Sequence, residues 1–399
     1  MISLNDKKVL LGVTGGIAAY KIAFLVRLFI KEGAKVKVVM TPKAKEFVTP
    51  LTLATLSKNE VIISFTEKDA DVWNNHVDLG LWADFMLIAP ATANTLSKMA
   101  SGQSNNFLLA TYLSAKCHVY VAPAMDLDMY QHPSTKISLE KLNSFGNSII
   151  PVGRGELASG LSGEGRMAEP EEIISFIKKD ISNQLPLNGK KILITAGPTY
   201  EAIDPVRFIG NHSSGKMGYA LAEEAAKLGA EVTLISGPSA LQLQDASIKR
   251  VDVVSAKEMY EAVHAIYEKI DVAIAAAAVS DYRPVTQATQ KIKKSDPTLT
   301  LELEKTQDIL FSMGQKKKHQ FLIGFALETQ NEIENAQKKL EKKNLDFIVL
   351  NSLKDKGAGF QKETNKVRII NADSVQSYEL KSKRKVAKDI LNELVDRLV

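Results

Sequence analysis

The stretch KVLLGVTGGIAAYK, residues 8–21, decides the fold. Its first six residues form an apolar run of strand length, and a helical spacing of apolar residues begins at Ile17, directly after Gly15 and Gly16. The helical pattern continues to Glu32, and its predicted apolar face comprises Tyr20, Phe24, Leu25, Leu28 and Phe29. A strand, a glycine turn and a helix in this order indicate an α/β fold.

The same alternation continues through the first half of the chain. Further apolar runs of strand length lie at residues 35–40, 84–89, 117–122 and 148–152, and helical patterns separate them. Apolar strands that alternate with helices are typical of a parallel sheet covered on both faces.

The pattern restarts after the segment DISNQLPLNG, residues 180–189. Strands are predicted at 190–197, 231–236, 271–277, 320–326 and 345–351, with helices at 216–229 and 383–399. The prediction is therefore an α/β protein with two doubly wound parallel-sheet domains, residues 1–184 and 185–399.

Composition limits the class of protein. The chain has 399 residues, of which 45% are hydrophobic and 24% are charged, as in a globular protein of two domains. The apolar run 272–279 is too short to cross a membrane, and the N-terminus resembles no signal peptide. Cys117 is the single cysteine, which excludes an internal disulfide and a cysteine metal cluster. We expect a cytoplasmic protein with no membrane partner.

Lysine clusters in three late runs, at residues 291–294, 316–318 and 338–343. They are interpreted either as solvated helix faces or as charges that bind phosphates. Nucleic acid is not a predicted partner, because arginines and aromatic residues are almost absent from these runs.

Neither glycine turn has the dinucleotide-binding pattern. Both lack G-x-G-x-x-G, and in both halves the second strand ends without the Asp or Glu that holds a ribose. The segment GNHSSGKM, residues 210–217, approaches a phosphate loop but has Met217 where Ser or Thr would bind Mg²⁺. Lys216 and the amides at this helix start predict an anion-binding turn of another kind.

Other polar segments lie where α/β sheets bind ligands. IAPATANT, residues 88–95, and VAPAMDLDMY, residues 121–130, follow the ends of predicted strands. His76 precedes an amphipathic segment, and both a structural and a catalytic interpretation of it stay open. The glycine-rich stretch GELASGLSGEGRMAEP, residues 155–170, has no helix or strand period and is either a linker or a flap.

Taken together, these strings resemble one family. GVTGGIAAYK, HVDL, APATANT, PAMDLDMY and the glycine-rich stretch occur in order, followed by ITAGPTYEAIDPVRFIGNHSSGKMG, AAAVSDYRP, KIKK, GFALET and KKNLDFIVLN. This is similar to the bifunctional coenzyme A biosynthesis family, in which phosphopantothenoylcysteine decarboxylase is fused to phosphopantothenate–cysteine ligase. The resemblance covers about residues 8–371.

The resemblance implies that the first domain is a flavodoxin-like flavoprotein that uses FMN. In the family, FMN oxidises the cysteine side chain to a thioaldehyde, which absorbs electrons as CO₂ leaves, and the hydride then returns. The residues implied to hold FMN are Gly15, Gly16, Ile17, Thr92, Ala93 and Asn94. His76 is implied as the base, and the glycine-rich stretch as a flap over the substrate.

Three positions depart from the family pattern: Tyr130 stands where a Trp is usual, and the other two bear directly on the chemistry. Asp126 stands where an Asn usually holds the substrate carboxylate, and Ser159 where a Cys usually donates a proton. Decarboxylation is lost, or a protonated Asp126 supplies the proton, or Ser159 relays it from water or His76. The version with a protonated Asp126 is preferred, because every other string in this domain matches.

The resemblance implies that the second domain is a Rossmann-like ligase. It would activate 4′-phosphopantothenate with CTP and pass the acyl-cytidylate to cysteine. Asn211 and Arg207 are implied to contact the acyl intermediate, and Lys291 the triphosphate. The implied nucleotide pocket comprises Asp281, Gln307, Asp308, Ile309, Leu310, Phe325, Lys339 and Lys343. Mg²⁺ would bridge the phosphates with few protein ligands, and the sequence names none.

The family also implies a homo-oligomer with flavin at a subunit interface. Its small-molecule partners would be 4′-phosphopantothenate, cysteine and CTP. Three alternatives remain: an active ligase whose decarboxylase is impaired by Asp126 and Ser159, a nicotinamide-dependent oxidoreductase, and a flavin-binding regulatory subunit without catalysis.

Overall fold

The computed structural model describes residues 4–67, 70–293, 298–328, 330–352 and 362–398. Lys294 and Thr329, which belong to two of the quoted strings, and Val399, the last residue of the predicted final helix, lie outside the described residues. The chain forms two compact units, Met1–Ile181 and Ser182–Val399, which we call the N-terminal and C-terminal units. The predicted domain boundary, 184/185, falls just after the start of the C-terminal unit.

The N-terminal unit alternates strands and helices. Its strands are β1 Lys8–Val13, β2 Lys35–Met40, β3 Val61–Ile62, β4 Thr66–Glu67, β5 Ala70–Trp73, β6 Phe85–Ala91, β7 His118–Pro123, β8 Ser148–Ile149, β9 Gly153–Glu156 and β10 Ser162–Arg166. Its α-helices are α1 Ile22–Lys31, α2 Pro50–Ser57, α3 His76–Trp82, α4 Ala93–Ala100, α5 Phe107–Ser114, α6 Leu127–Gln131, α7 Pro133–Ser144 and α8 Pro170–Asn183. Short 3-10 helices cover Ile17–Lys21 and Pro42–Glu46.

Six strands of this unit form one parallel sheet in the order β3-β2-β1-β6-β7-β8. Apolar cores lie against both faces, one built around Leu11 and Phe29 and the other around Leu10 and Phe107. The order reverses between β1 and β6, so the strand ends there diverge and leave a crevice, the usual ligand site of such sheets.

The predicted apolar face of the first helix is partly wrong. The buried stripe of α1 consists of Ile22, Leu25, Val26 and Phe29, whereas Tyr20 and Phe24 are 53% and 63% exposed. Residues 17–21 adopt a 3-10 helix, whose tighter winding changes the direction of Tyr20 relative to the α-helix that follows.

The C-terminal unit has the same alternation. Its strands are β11 Lys191–Ala196, β12 Tyr200–Ala202, β13 Phe208–Gly210, β14 Glu231–Ser236, β15 Lys249–Asp252, β16 Val272–Ala275, β17 Tyr282–Pro284, β18 Leu303–Lys305, β19 Phe321–Glu328, β20 Phe347–Ser352, β21 Thr364–Asn365, β22 Val367–Ile370, β23 Val375–Ser377 and β24 Lys381–Ser382. Its helices are α9 Lys216–Lys227, α10 Ala256–His264, the 3-10 helix Tyr267–Lys269, α11 Ile309–Lys316, α12 Glu332–Lys342 and α13 Lys383–Leu398.

Its main sheet has the order β15-β14-β11-β16-β19-β20-β22-β23. The strands from β15 to β20 are parallel, and β22 and β23 add an antiparallel edge. The order reverses between β11 and β16, which places a second crevice there. The predicted fold class, two doubly wound parallel sheets, is confirmed.

Among the described strands, five antiparallel pairs stand outside the main sheets: β4-β5, β9-β10, β12-β13, β17-β18 and β21-β24. The flap hairpin, β9 and β10, forms from the glycine-rich stretch for which no strand was predicted. Buried and exposed residues alternate along β10, as in a strand, but the buried positions are Gly163 and Gly165. The sequence therefore shows no alternation of apolar and polar side chains. A second hairpin, which we call the arm, pairs β12 with β13.

None of the helices within the described ranges combines the length and the apolar character that crossing a membrane would need.

Candidate functional site

A cavity of about 950 Å³ opens at the carboxyl ends of the strands of the N-terminal unit. All six residues predicted to hold a flavin line it: Gly15, Gly16, Ile17, Thr92, Ala93 and Asn94. The first three follow β1 and the others follow β6, so they meet at the reversal of strand order. Asp126, which follows β7, also lines this cavity.

The two turns at this cavity are held closely together. The Thr14 hydroxyl donates to the Pro90 carbonyl at 2.6 Å and accepts from the Thr92 amide at 3.2 Å. A Cβ added at Gly15 would lie 2.7 Å from Cγ of Lys43, and one at Gly16 would lie 3.3 Å from Cγ2 of Thr92. Glycine at residue 15 therefore leaves room for the Lys43 side chain.

Several charged residues of this cavity were not among the predicted site residues. Lys43, Lys98 and Arg166 contribute positive charge to its lining, and Glu156 contributes negative charge beside Asp126. A sequence signal existed for Lys98, because it lies four residues after Asn94 and so on the same face of α4. Lys43 follows the end of β2, another position at which such sheets bind ligands.

Asp126 is the N-cap of the short helix α6. Its Oδ1 atom accepts a hydrogen bond of 2.7 Å from the Leu127 amide. No described residue donates a hydrogen bond to its Oδ2 atom. The side chain is half-buried in the cavity wall, so one carboxylate oxygen is used by the helix and the other is available to a ligand.

The flap hairpin rests on the same segment. The Met125 amide donates to the Gly165 carbonyl at 3.0 Å. A Cβ at Gly165 would lie 2.5 Å from the Met125 carbonyl oxygen, and one at Gly163 would lie 2.7 Å from Cδ1 of Leu127. The base of the hairpin is therefore fixed on residues 125–127 by close contacts that only glycine permits.

Ser159 lies in the turn of this hairpin. The turn is closed by a hydrogen bond of 2.7 Å from the Leu157 amide to the Leu161 carbonyl, and Gly160 has a φ of +84°. Ser159 is exposed, and its hydroxyl accepts from the Leu161 amide at 3.4 Å. Leu157 and Ala158 line the cavity whereas Ser159 does not, so Ser159 and Asp126 are not brought together within the cavity lining.

His76 does not line this cavity. It begins α3, and the rings of Phe65, Trp73 and Phe107 surround it with centroid distances of 5.8, 6.1 and 6.3 Å. Its Nδ1 atom is buried and makes no hydrogen bond with any described residue. A buried ring nitrogen without a partner costs stability, so a structural role alone does not explain this histidine.

A second cavity, of about 420 Å³, lies at the carboxyl ends of the strands of the C-terminal unit. All eight residues of the predicted nucleotide pocket line it: Asp281, Gln307, Asp308, Ile309, Leu310, Phe325, Lys339 and Lys343. Lys305, which was not predicted, lines it too and lies two residues before Gln307.

The two helix lysines of this cavity are held by defined partners. Lys339 donates to the Phe325 carbonyl at 2.8 Å, and Lys343 pairs with the Asp308 carboxylate at 2.9 Å. Burial, followed by the neighbouring Lys343 ammonium, lowers the pKa of Lys339. Although burial opposes ionisation of Asp308, bonds from the Phe311 amide and Lys343 hold the pKa of its carboxyl below the usual value.

Asn211, Arg207 and Lys291 lie outside this cavity lining. Asn211 is at the end of the arm and donates to the carbonyls of Ala278 and Val279, at 3.0 and 3.3 Å. Val279 lines the cavity, so Asn211 contacts a residue of the cavity wall without lining the cavity itself. Lys291 is exposed, and its ammonium forms no ion pair with a described residue.

The guanidinium of Arg207 is bonded inside the arm. It donates to the Asp204 carboxylate through both Nε and Nη2, and from Nη2 to the Ile292 carbonyl at 2.9 Å. The Ile292 amide in turn donates to Asp204 at 3.1 Å. These bonds hold the segment next to Lys291, so the structure gives Arg207 a contact other than the predicted one.

Asp204 was missed by the sequence reasoning. Its side chain is fully buried and accepts from the amides of Val206 and Arg207 at 2.8 and 2.9 Å. The bonds from Arg207 hold the pKa of its carboxyl well below the usual range. A signal existed in the segment IDPVR, where an Asp precedes a Pro as in a turn that the Asp side chain closes.

The predicted anion-binding turn begins α9. Gly215 is its N-cap with a φ of +81°, and the Lys216 ammonium is hydrogen-bonded to the Glu363 carboxylate. In the described part of the chain, no three His, Cys, Asp or Glu side chains converge to hold a metal ion.

Two family models match the chain. The one described as Flavoprotein matches residues 2–182. The one described as DNA/pantothenate metabolism flavoprotein C-terminal domain matches residues 187–398.

Individual relatives match over most of their length. A cysteine/cysteine sulfinic acid decarboxylase from an unknown prokaryotic organism is 54% identical over 354 residues, covering 87% of this chain and 99% of that protein. The coenzyme A biosynthesis bifunctional protein CoaBC of Bacillus subtilis is 46% identical over 395 residues, covering 98% of this chain and 97% of that protein. A crystal structure of the C-terminal domain of a CoaBC protein, 46% identical, covers 54% of this chain and 98% of its own, with a TM-score of 0.46.

The resemblance inferred from the sequence is thereby confirmed. The Bacillus subtilis relative and the C-terminal family model each span more than half of the chain. The chain belongs to the family of the bifunctional coenzyme A biosynthesis proteins CoaBC.

Proposed function

We propose that this chain is a bifunctional enzyme of coenzyme A biosynthesis. The C-terminal unit would join 4′-phosphopantothenate to cysteine with CTP, and the N-terminal unit would decarboxylate the product with FMN. The proposal is carried by one observation: all six residues that the family resemblance implies for FMN line the N-terminal cavity, and eight of those implied for CTP, though not Lys291, line the C-terminal cavity.

In the C-terminal unit, the cation arrangement supports binding of a nucleoside triphosphate. Lys339, Lys343 and Lys305 line one small cavity, and Asp281 and Gln307 add polar groups that could bind a base or ribose. Asn211 would contact the acyl-cytidylate from the cavity edge, and Lys291 would stabilise the charge that develops on the attacked phosphate. Mg²⁺ would be bound mainly through the triphosphate oxygens.

The N-terminal cavity fits a flavin mononucleotide. Its volume of about 950 Å³ lies within the range of cofactor sites, about 300–1,000 Å³. No side chain caps the first amides of α4, so these amides are available to an anion. Lys43 and Lys98 add positive charge to the same cavity, as a phosphate group requires.

FMN would supply a hydride acceptor and then a hydride donor for decarboxylation of a cysteine-type substrate. The residues of this chain would orient the substrate and exclude water. The flap hairpin, fixed at its base, would cover the substrate with residues 157–161, and Ser159 or Asp126 would deliver the final proton.

We also propose that the N-terminal cavity is completed by a second copy of the chain. His76 does not line the cavity of its own chain, yet its Nδ1 atom lacks a partner and Trp73 beside it is exposed. Ile17, Tyr20 and Phe24 are exposed apolar side chains next to the glycine turn. A homo-oligomer that buries both surfaces would bring His76 of one chain to the flavin of another.

Mixed oligomers test this arrangement. A chain with His76→Asn and a chain with Gly16→Val in the cavity should each be inactive alone. Co-expression of the two should restore decarboxylation, because one type of subunit contact then combines an intact cavity with an intact His76. The absence of any restored activity in oligomers shown by mass to contain both chains would exclude a shared site.

A second candidate function is favoured by the comparisons. The relative that is 54% identical is named a cysteine/cysteine sulfinic acid decarboxylase. The N-terminal unit would then act on free cysteine or its sulfinic acid instead of the coenzyme A precursor. Asp126 and Ser159, the two departures from the family pattern that bear on the chemistry, lie in this unit.

One experiment tests the proposed functions together. The purified chain, loaded with FMN, receives 4′-phosphopantothenate, cysteine, CTP and Mg²⁺, and mass spectrometry follows the products. The cysteine adduct and its CO₂-depleted form are expected. Parallel reactions with cysteine alone and cysteine sulfinic acid alone, without CTP, detect the second function as cysteamine or hypotaurine. Adduct without any decarboxylated product would leave a ligase with an inactive N-terminal unit.

A further inference from the structure

The geometry of Asp126 determines what the N-terminal cavity presents to a substrate. Its Oδ1 atom is bonded to the Leu127 amide, and this cap bond fixes the orientation of the side chain. The atom that remains for a ligand is therefore Oδ2. An asparagine with the same cap bond would present an NH₂ group, which donates hydrogen bonds, whereas an aspartate presents an oxygen that only accepts them.

At residue 126, an aspartate therefore presents a hydrogen-bond acceptor to the cavity where an asparagine would present a donor. An amide donor suits a substrate carboxylate, but an ionised carboxylate repels it. The group that best matches an ionised carboxylate is a cation with N–H donors. Glu156 lines the same cavity and adds a second negative charge to its lining.

A positive side chain, Arg166, lines the same cavity as Asp126. Gly165 contacts the Met125–Asp126 peptide, and Arg166 follows it directly in the chain and lines the same cavity. Within the described residues, the Arg166 guanidinium makes one long hydrogen bond, of 3.5 Å, from Nη2 to the Glu169 carboxylate. Its other N–H donors are available to a ligand. An acidic and a basic side chain in the lining of one cavity match the ammonium and carboxylate of a free amino acid.

We propose that the N-terminal cavity selects cysteine-type substrates that carry a free α-ammonium group, and that the Asp126 carboxylate binds this ammonium. Substrates whose cysteine nitrogen is part of an amide would be disfavoured, because they have no positive charge to place there. The proposal rests on the second candidate function, decarboxylation of free cysteine or its sulfinic acid, and if it holds, the amide-linked adduct made by the C-terminal unit is a poor substrate for this cavity. The proposal requires an ionised Asp126 and so competes with the hypothesis of a protonated Asp126.

The test measures binding instead of turnover. S-methyl-L-cysteine and N-acetyl-S-methyl-L-cysteine have no free thiol to oxidise and differ at the nitrogen, so each is titrated calorimetrically into the FMN-loaded chain. We expect the free amino acid to bind about tenfold more tightly or better. Asp126→Asn should remove this preference while keeping the helix cap. Asp128→Asn, an exposed change of the same charge two residues away, should leave it intact.

Three results would overturn the proposal: equal affinities in the unaltered chain, tighter binding of the acetylated compound, or no binding of the free amino acid. An Asp126→Asn chain that keeps the preference would also overturn it, and loss of turnover in that variant would then support a proton donor. Failure of the proposed decarboxylation is read separately, as the absence of CO₂ loss from every cysteine compound, and does not affect the binding comparison.

Discussion

Lys339 is a cation in the wall of the C-terminal cavity whose charge depends on its surroundings. It is hydrogen-bonded to the Phe325 carbonyl, and burial and Lys343 lower its pKa. A triphosphate beside it would favour the charged form and raise that pKa again. Nucleotide binding and protonation of Lys339 should therefore be linked.

We predict that CTP binding weakens as the pH rises through the lowered pKa of Lys339, which lies below the ordinary lysine value of about 10.4. Binding in that pH range should also take up protons, because the triphosphate favours the charged form of Lys339. Calorimetry in buffers of different ionisation enthalpy measures this uptake. Lys339→Met should lower the affinity about tenfold or more and abolish the uptake.

Lys338→Met is the matched control, since Lys338 lies on the same helix but is exposed and paired with Glu334. Proton uptake that persists in Lys339→Met would assign the linkage to another group.

The structure brings predicted site residues together where a strand end fixes their position. The two turns predicted to hold FMN follow β1 and β6 of a parallel sheet, so sequence order alone places them at one edge. The partners of Arg207 were not predictable, because a buried Asp204 three residues away satisfies its guanidinium, and no spacing rule reveals burial. Whether His76 faces its own cavity depends on the loop that carries it, which periodicity does not describe.

The flap hairpin depends on glycine at its base rather than in its turn. Gly165 has a φ of +138°, and a side chain there would collide with the Met125 carbonyl oxygen. Gly160 in the turn also has a positive φ, but no atom lies within 4 Å of where its Cβ would be. Both positions thus require a positive φ, but only at Gly165 would a side chain collide with another atom.

We predict that Gly165→Ala lowers the free energy of unfolding of the N-terminal unit by about 1–3 kcal/mol more than Gly160→Ala does. The displaced hairpin should also expose residues 157–161 to proteolysis. Thermal unfolding and limited proteolysis with identification of the cut measure both effects. Equal destabilisation by the two substitutions would show that the hairpin base has room to move.

The arm joins two candidate catalytic groups of the C-terminal unit. Asn211 is at its end, and Asp204 and Arg207 in its turn hold Ile292, the residue after Lys291. Displacement of this segment would move Lys291 without altering the lining of the cavity that we propose to bind the nucleotide.

Asp204→Asn should therefore lower the kcat of ligation about 10- to 100-fold while CTP affinity changes little. Asp245→Asn, which alters an aspartate that closes a turn elsewhere in the unit, should have little effect on either quantity. A parallel loss of CTP affinity would place Asp204 in the nucleotide site instead.

The same residue makes stability depend on pH. Because Arg207 holds the pKa of Asp204 below the usual range, its contribution to the free energy of unfolding is complete above the ordinary carboxyl pKa of about 4. It is lost as the pH falls further, when the carboxyl becomes protonated. Urea unfolding of Asp204→Asn should thus decline less steeply below that pH than unfolding of the unaltered chain.

The main strands were predictable because each is a short apolar run between polar turns. The predicted run 231–236 coincides with β14, and 35–40 coincides with β2. The flap hairpin and the arm were not predicted, because their stability comes from glycine contacts and turn hydrogen bonds instead of apolar alternation. Exposure of Tyr20 and Phe24 escaped prediction because a 3-10 turn interrupts the helical period.

The two units have separate hydrophobic cores. The core clusters of the N-terminal unit extend from Leu4 to Ile177, and those of the C-terminal unit from Leu187 to Leu394. We predict that residues 186–399 alone fold and bind CTP with an affinity close to that of the full chain. Circular dichroism and calorimetry measure the two properties. A fragment that unfolds or loses CTP binding would show that the C-terminal unit needs residues before 186.

The positions of the tryptophans give a practical consequence of this division. Both tryptophans, Trp73 and Trp82, belong to the N-terminal unit. An emission melting curve excited at the indole band would therefore follow only that unit, while ellipticity would register both. Once both signals are expressed as fractions unfolded, the part of the ellipticity change that the tryptophan emission does not follow reports unfolding of the C-terminal unit in the intact chain, without any introduced label.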